Sequence, residues 1–161
     1  MNIGIIVHSK TGTTLAFGEL IAQKLRDKGH NVDIVQVKTD LPDDVTSPEK
    51  SKKFTITSDC DCSKFDAVVI GGPVWAFSPS SIIMACVEQL QNISDKKVVP
   101  ITTMGFPFTW MGGTRTIKVI GRVAANKGAS VLPGKAIPKL FHNYKKLMEE
   151  AATEISNYFE G

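Results

Sequence analysis

The 161-residue sequence holds only three cysteines, too few for a disulfide framework, which fits a reducing compartment. No apolar stretch approaches the ~20 residues that cross a bilayer, so membrane insertion is not expected. The chain opens on Asn2 and a strand-like run. It lacks the basic start and cleavage site of a secretory signal, so a cytoplasmic protein is the expectation. There is no arginine-rich stretch and no clustered basic face interleaved with aromatics, so nucleic acid is not an expected ligand. Internal repeats and low-complexity tracts are absent too. Two nucleotide signatures are missing, the P-loop G-x-x-x-x-G-K-[ST] and the dinucleotide G-x-G-x-x-G. No Ser-His-Asp set or carboxylate pair is spaced for hydrolysis, so no catalytic residue is assigned. Cys60-Asp61-Cys62 supplies half a zinc site with no second pair to complete it. It reads as a surface turn, Cys86 reads as a small core filler, and no metal is expected.

What remains is an ordinary globular composition, 42% apolar and 22% charged, with a net charge of +3. The length suits a single domain over residues 1–161 with a sizeable core. Lys50, Lys52 and Lys53 form a small cluster. Lys135, Lys139, Lys145 and Lys146 are spread near the C-terminus, and both sets read as solvated surface, with partner docking as the lesser alternative.

The most informative segment is Ser9-Lys10-Thr11-Gly12-Thr13-Thr14, placed between the apolar run Ile3–Val7 and an amphipathic helical pattern. A strand, a hydroxyl-rich turn and a helix N-terminus together hold anions. The unpaired N–H groups and the positive dipole end attract a phosphate. The hydroxyls of Ser9, Thr11, Thr13 and Thr14 add donors, and Gly12 lets the backbone approach closely. Such a site suits a phosphate that stays bound rather than one that is transferred.

Apolar periodicity gives strands near 2–7, 32–38, 65–71, 97–102 and 129–132. Helical patterns cover 13–28, 114–127 and 138–159. A further helix is expected to open at Ser78-Pro79 with a cap and an N1 proline, burying Ile83, Val87 and Leu90. The polar second strand reads as an edge. Pro100 is awkward inside the fourth strand unless a bulge intervenes, and Pro133 reads as the end of the fifth. The irregular stretch 39–64 is read as a shortened crossover with one short helix near 48–53. Alternating strands and helices predict an α/β fold around a parallel sheet, doubly wound with helices on both faces. Ligands bind such sheets beyond the carboxyl ends of the strands. The loops 9–14, 72–80 and 103–113 emerge there.

Those three loops resemble the flavodoxin family. Ser9, Thr11, Gly12 and Thr14 match its phosphate-loop pattern [ST]-x-T-G-x-T. Gly71-Gly72-Pro73-Val74-Trp75-Ala76 is similar to the G-x-P-x-W-A segment of small flavodoxin-like proteins. Ile101-Thr102-Thr103-Met104-Gly105 falls where the family places its other flavin-contacting loop. The resemblance implies a five-stranded parallel sheet of order 2-1-3-4-5 and non-covalently bound FMN. By the same resemblance Ser9, Lys10, Thr11, Gly12, Thr13 and Thr14 hold the phosphate. Pro73, Val74, Trp75, Ala76 and Phe77, with Thr103, Met104 and Gly105, flank the ring. Trp75 is the expected stacking partner. Phe77 departs from the pattern, standing where relatives often carry glycine.

The implied function is FMN-based electron transfer to a redox partner protein or a small aromatic or quinone acceptor. The alternative is an FMN-dependent NAD(P)H or quinone oxidoreductase. A flavin-free binding module is a third reading. A receiver domain does not fit, because the first strand lacks the acidic residues that hold Mg²⁺. The apolar segment 104–111 either folds over the sheet edge or forms a docking rim. His8 reads as a hydrogen-bonded strand-end residue, His30 as a turn, and His142 as a helix-surface residue.

Overall fold

A computed structural model describes residues 1–41 and 53–160. The helix expected near 48–53 and the cluster of Lys50, Lys52 and Lys53 lie largely outside them. Seven strands and four helices follow in the order β1(Asn2–Val7), α1(Thr13–Asp27), β2(Asn31–Gln36), β3(Ala67–Trp75), β4(Ser78–Pro79), α2(Ser81–Gln89), β5(Lys97–Met104), α3(Gly113–Asn126), β6(Ser130–Val131), β7(Lys135–Pro138) and α4(Tyr144–Asn157). The sheet path is β2-β1-β3-β5-β6, with β7 also pairing β5 and β4 pairing β3. Every pairing along that path is parallel, and so is that of β7. With β6 and β7 taken as one interrupted strand, the parallel order is 2-1-3-4-5. The polar β2 is an edge.

The core divides by strand alternation. On one face Ile3, Ile5 and Val7 pack against Phe17, Ile21 and Leu25 of α1 and Ile155 of α4. On the other Ile6, Val68 and Ile70 meet Ile83 and Val87 of α2 and Ile120 of α3. Each such fully buried side chain contributes ~1.5–3 kcal/mol. This two-sided burial is why the central strands are nearly unbroken apolar runs. Because the strands run parallel, all four helices begin at the carboxyl end of the sheet.

Several element boundaries differ from the sequence expectation. The third strand runs on to Trp75 and turns back through Ala76 and Phe77, so that Ser78 pairs Trp75 and Pro79 pairs Val74. Ser78-Pro79 therefore does not open a helix. Ser80 does, its Oγ accepting from the Ile83 N–H at 3.1 Å. The fourth strand extends to Met104.

The fifth strand does not end at Pro133. Its register against β5 shifts by one residue between Val131 and Lys135, a bulge at 132–134,. Leu132 donates to the Val98 carbonyl, so residues 98 and 100 turn their backbones toward this strand. The missing N–H of Pro100 thus faces the bulge, where no ladder bond is required. The last helix begins at Tyr144 rather than Pro138. Pro138 pairs Met104 in β7, and Asn143 caps the helix by accepting from the Lys146 N–H.

Candidate cofactor site

Three groups of residues meet at the carboxyl end of the sheet. The first is the turn from β1 into α1. Gly12 is the N-cap of α1 with φ 91°, and no side chain caps the helix. A Cβ on Gly12 would meet nothing within 4 Å, so the space beside the turn is open. The first-turn N–H groups have no intrahelical acceptor and face that space with the positive dipole end. Ser9 Oγ is buried and finds no hydrogen-bond partner among the described residues. Thr11 Oγ1 and Thr13 Oγ1 lie 3.5 Å apart and exposed. Buried hydroxyls are normally satisfied; Ser81 Oγ and Thr116 Oγ1 are orphaned in the same way, and Ser9 is the one of the three that lies in the turn from β1 into α1.

Thr14 faces inward instead. Its Oγ1 is 2.7 Å from Thr103 Oγ1, and both are buried. That bond ties the start of α1 to the end of β5. Lys139, between β7 and α4, sends its Nζ to within 3.0 Å of Thr13 Oγ1 while lying over the Tyr144 ring. This cation beside the phosphate-type turn has no local sequence signal, being 126 residues from Thr13. It corrects the reading of Lys139 as mere solvated surface. Lys135 likewise is paired, with Glu154.

The second group is the β3–β4 hairpin. Trp75 is half-buried against the core, its ring edge-on to His8 at 5.2 Å and 85°. His8 is buried, with Nδ1 2.9 Å from Ser80 Oγ. Burial, reinforced by the Lys10 charge, lowers its pKa to about 4. Ala76 and Phe77 have φ of 49° and 62°, a left-handed turn usually made by Asn and Gly. Gly112, with φ 112°, lets the α3 N-terminus sit against this turn. A Cβ there would lie 2.8 Å from the Phe77 backbone.

The third group is the loop 105–112. Thr103 and Met104 are buried at the end of β5, whereas Gly105 is exposed. The Phe106 ring stacks on Phe77 at 5.0 Å and 11°, joining the second loop to the third. His142 is not on a helix. Its Nε2 donates to the Pro107 carbonyl at 2.7 Å, so the loop after β7 joins the same assembly.

The cysteines lie away from this end. Cys62 is fully buried with Cys86, correcting its reading as a surface turn, and Cys60 packs partly buried beside them. Burial pushes the Cys62 pKa up to about 11, so this thiol is unreactive. No cluster of His, Cys, Asp or Glu among the described residues could hold a metal ion, and no helix among them is long and apolar enough to cross a membrane.

No protein-family model matches the sequence, and no curated protein matches it significantly. Solved structures do match the fold. Flavodoxin 1 from Bacillus cereus superposes with a TM-score of 0.67 over 100% of both chains, at 14% identity. A flavodoxin from Streptococcus pneumoniae TIGR4 gives 0.67 over 98% of this chain and 96% of that one, at 17% identity. The fold is flavodoxin-like. A flavoprotein from Lactobacillus acidophilus, solved in complex with FMN, gives 0.59 over 84% of this chain and 92% of its own, at 16% identity. In this flavodoxin-like frame the three loops with motif residues all emerge at one end of the sheet, and Phe77–Phe106 and Thr14–Thr103 bind them together.

Proposed function

We propose that this protein binds FMN and works as a one-electron carrier. The observation that carries the reading is the orphaned Ser9 hydroxyl beside the uncapped α1 N-terminus. A phosphate supplies the acceptor that both lack. Ser9, Lys10, Thr11, Gly12, Thr13 and Thr14 form the phosphate turn, with Lys139 adding a cation. Pro73, Val74, Trp75, Ala76 and Phe77 lie along one side of the ring site, and Thr103, Met104 and Gly105 along the other. Bound FMN supplies the redox chemistry. The chain binds the phosphate, orients the ring and limits water around it. FMN is also present in the Lactobacillus acidophilus flavoprotein that shares the fold.

A carrier is favoured over a reductase by Phe77 and Phe106. Their rings stack in contact and join the two loops that flank the ring site. An FMN-dependent NAD(P)H or quinone reductase is the second reading, and it requires that pair to part. None of the four helices has an acidic residue in its first turn. A flavin bound at this end would therefore meet no carboxylate from a helix first turn,. The visible spectrum of the purified protein, followed by FMN titration of the apoprotein, tests the cofactor. Oxidation of NAD(P)H with a quinone acceptor separates carrier from reductase. Sustained turnover would favour the reductase.

A further inference from the structure

The carboxyl end of the sheet exposes large aromatic side chains among described residues that are mostly cationic where charged. Trp110 is 75% exposed and Phe141 87%, with Phe77, Phe106 and Phe108 also exposed. Soluble proteins seldom leave such a group uncovered without a use for it. Four of these rings form two stacked pairs on neighbouring loops. Phe77 stacks on Phe106 and Phe108 on Trp110, the latter at 5.9 Å and 7°. Leu140 N–H donates to the Gly105 carbonyl, which sets Phe141 beside the 105–112 loop.

Among the described residues the charge at this end is mostly positive. Four helix N-termini point to it without an acidic residue in any first turn. Arg115, Lys145 and Lys146 are exposed in the first turns of α3 and α4, and Lys139 precedes them. In the described loops of this end, residues 8–12, 37–41, 76–80, 105–112 and 139–143, Asp40 is the single carboxylate. The opposite end mixes signs, with Asp27, Asp66 and Asp95 among Lys28, Lys64 and Lys97. An apolar centre with a cationic surround pairs with an apolar patch rimmed by carboxylates.

We propose that this aromatic, cation-flanked end docks a second protein whose contact surface is acidic. The inference rests on the FMN reading for one point, that the partner is a redox protein. A protein fits better than a lipid surface because the rings are stacked as flat pairs on loops fixed by hydrogen bonds. Such a preformed face mates with another shaped face. Phe77 and Phe106, whose stacked rings join two site loops, put the docking surface beside the proposed flavin site.

The test is an amide-shift titration of the isotope-labelled protein, flavin-free and FMN-loaded, with an acidic [2Fe–2S] ferredoxin as probe. Basic cytochrome c and phosphatidylglycerol vesicles run in parallel. The expected result is ferredoxin-induced shifts confined to 76–80, 105–116 and 139–146. Affinity should fall about tenfold between ~20 mM and ~150 mM salt. Combined Arg115→Glu, Lys145→Glu and Lys146→Glu substitution should abolish the shifts. If that triple variant is misfolded, Lys146→Glu alone should weaken binding about threefold. Equal binding of cytochrome c, tighter binding to vesicles, shifts mapping elsewhere or no shifts at all would overturn the proposal. Docking by a chain that fails to bind FMN would sink the cofactor reading alone. FMN binding without ferredoxin contact would sink the docking surface alone.

Discussion

Replacing Ser9 by alanine should move two measured quantities in opposite directions. In the free protein the Ser9 hydroxyl is buried with no hydrogen-bond partner among the described residues. A buried unsatisfied hydroxyl costs ~1–3 kcal/mol. Removing it should stabilise the flavin-free protein by about 1 kcal/mol, allowing for the small void that the oxygen leaves. For a chain of this size that raises Tm by ~2–4 °C. In the loaded protein the same hydroxyl would donate to a phosphate, and hydrogen bonds to charged groups contribute ~1.5–3 kcal/mol. FMN affinity should therefore fall ~10- to 100-fold. Riboflavin, which has no phosphate, should bind variant and wild type alike. Thermal unfolding of the apoprotein and flavin-fluorescence titrations read the two effects. Ser9→Ala with a lowered apoprotein Tm and unchanged FMN affinity would refute the reasoning.

Three further outcomes are expected. Ala76→Gly relieves a left-handed backbone at an exposed residue and should stabilise the protein by ~0.5–1 kcal/mol, whereas Phe77→Ala keeps the strain, loses the Phe106 stack and should cost ~0.5–1.5 kcal/mol; urea unfolding midpoints distinguish them. Lys139→Met should weaken FMN about three- to tenfold while leaving riboflavin unaffected, as expected for a partly exposed cation near a phosphate, and an equal loss for both ligands would remove Lys139 from the phosphate site. The unfolded chain protonates His8 near pH 6.5, whereas the folded chain does so only near pH 4. The stability from this difference is thus complete above pH 6.5 and is lost as pH falls toward 4, by up to ~3 kcal/mol. His8→Gln should flatten the apoprotein's stability curve over that window, and an unchanged slope would contradict the assignment.

The parts of the fold legible in the sequence are those governed by periodicity. Ile3–Val7 reads as a strand buried on both faces. Leu15, Gly18, Ala22 and Leu25, with Ile21 beside them, read as a helix face that misses the buried Phe17, and Gly29 reads as a place to stop. The hairpin after Trp75 was not legible, because Ala76 and Phe77 carry none of the Asn or Gly signal that a left-handed turn normally requires. Ser78-Pro79 then pointed to a helix start two residues too early, while Ser80 held the cap. The fifth strand was cut short because Pro133-Gly134 reads as an ending. The structure uses that pair as a bulge facing Pro100, whose own missing N–H was the visible half of the same device. At the site, the hydroxyl-rich turn was visible as a residue pattern. Which of its hydroxyls lies open was not. Thr14 is taken by Thr103, and Ser9 is left without a partner. Lys139 reaches Thr13 only through the packing of the last loop against the first helix.

The most direct measurement is calorimetric titration of the folded apoprotein with FMN. Stoichiometric binding is the result the account predicts, with riboflavin binding more weakly by the contribution of the phosphate turn. No heat from FMN, or equal affinity for FMN and riboflavin, would contradict the claim that the turn after β1 grips a flavin phosphate.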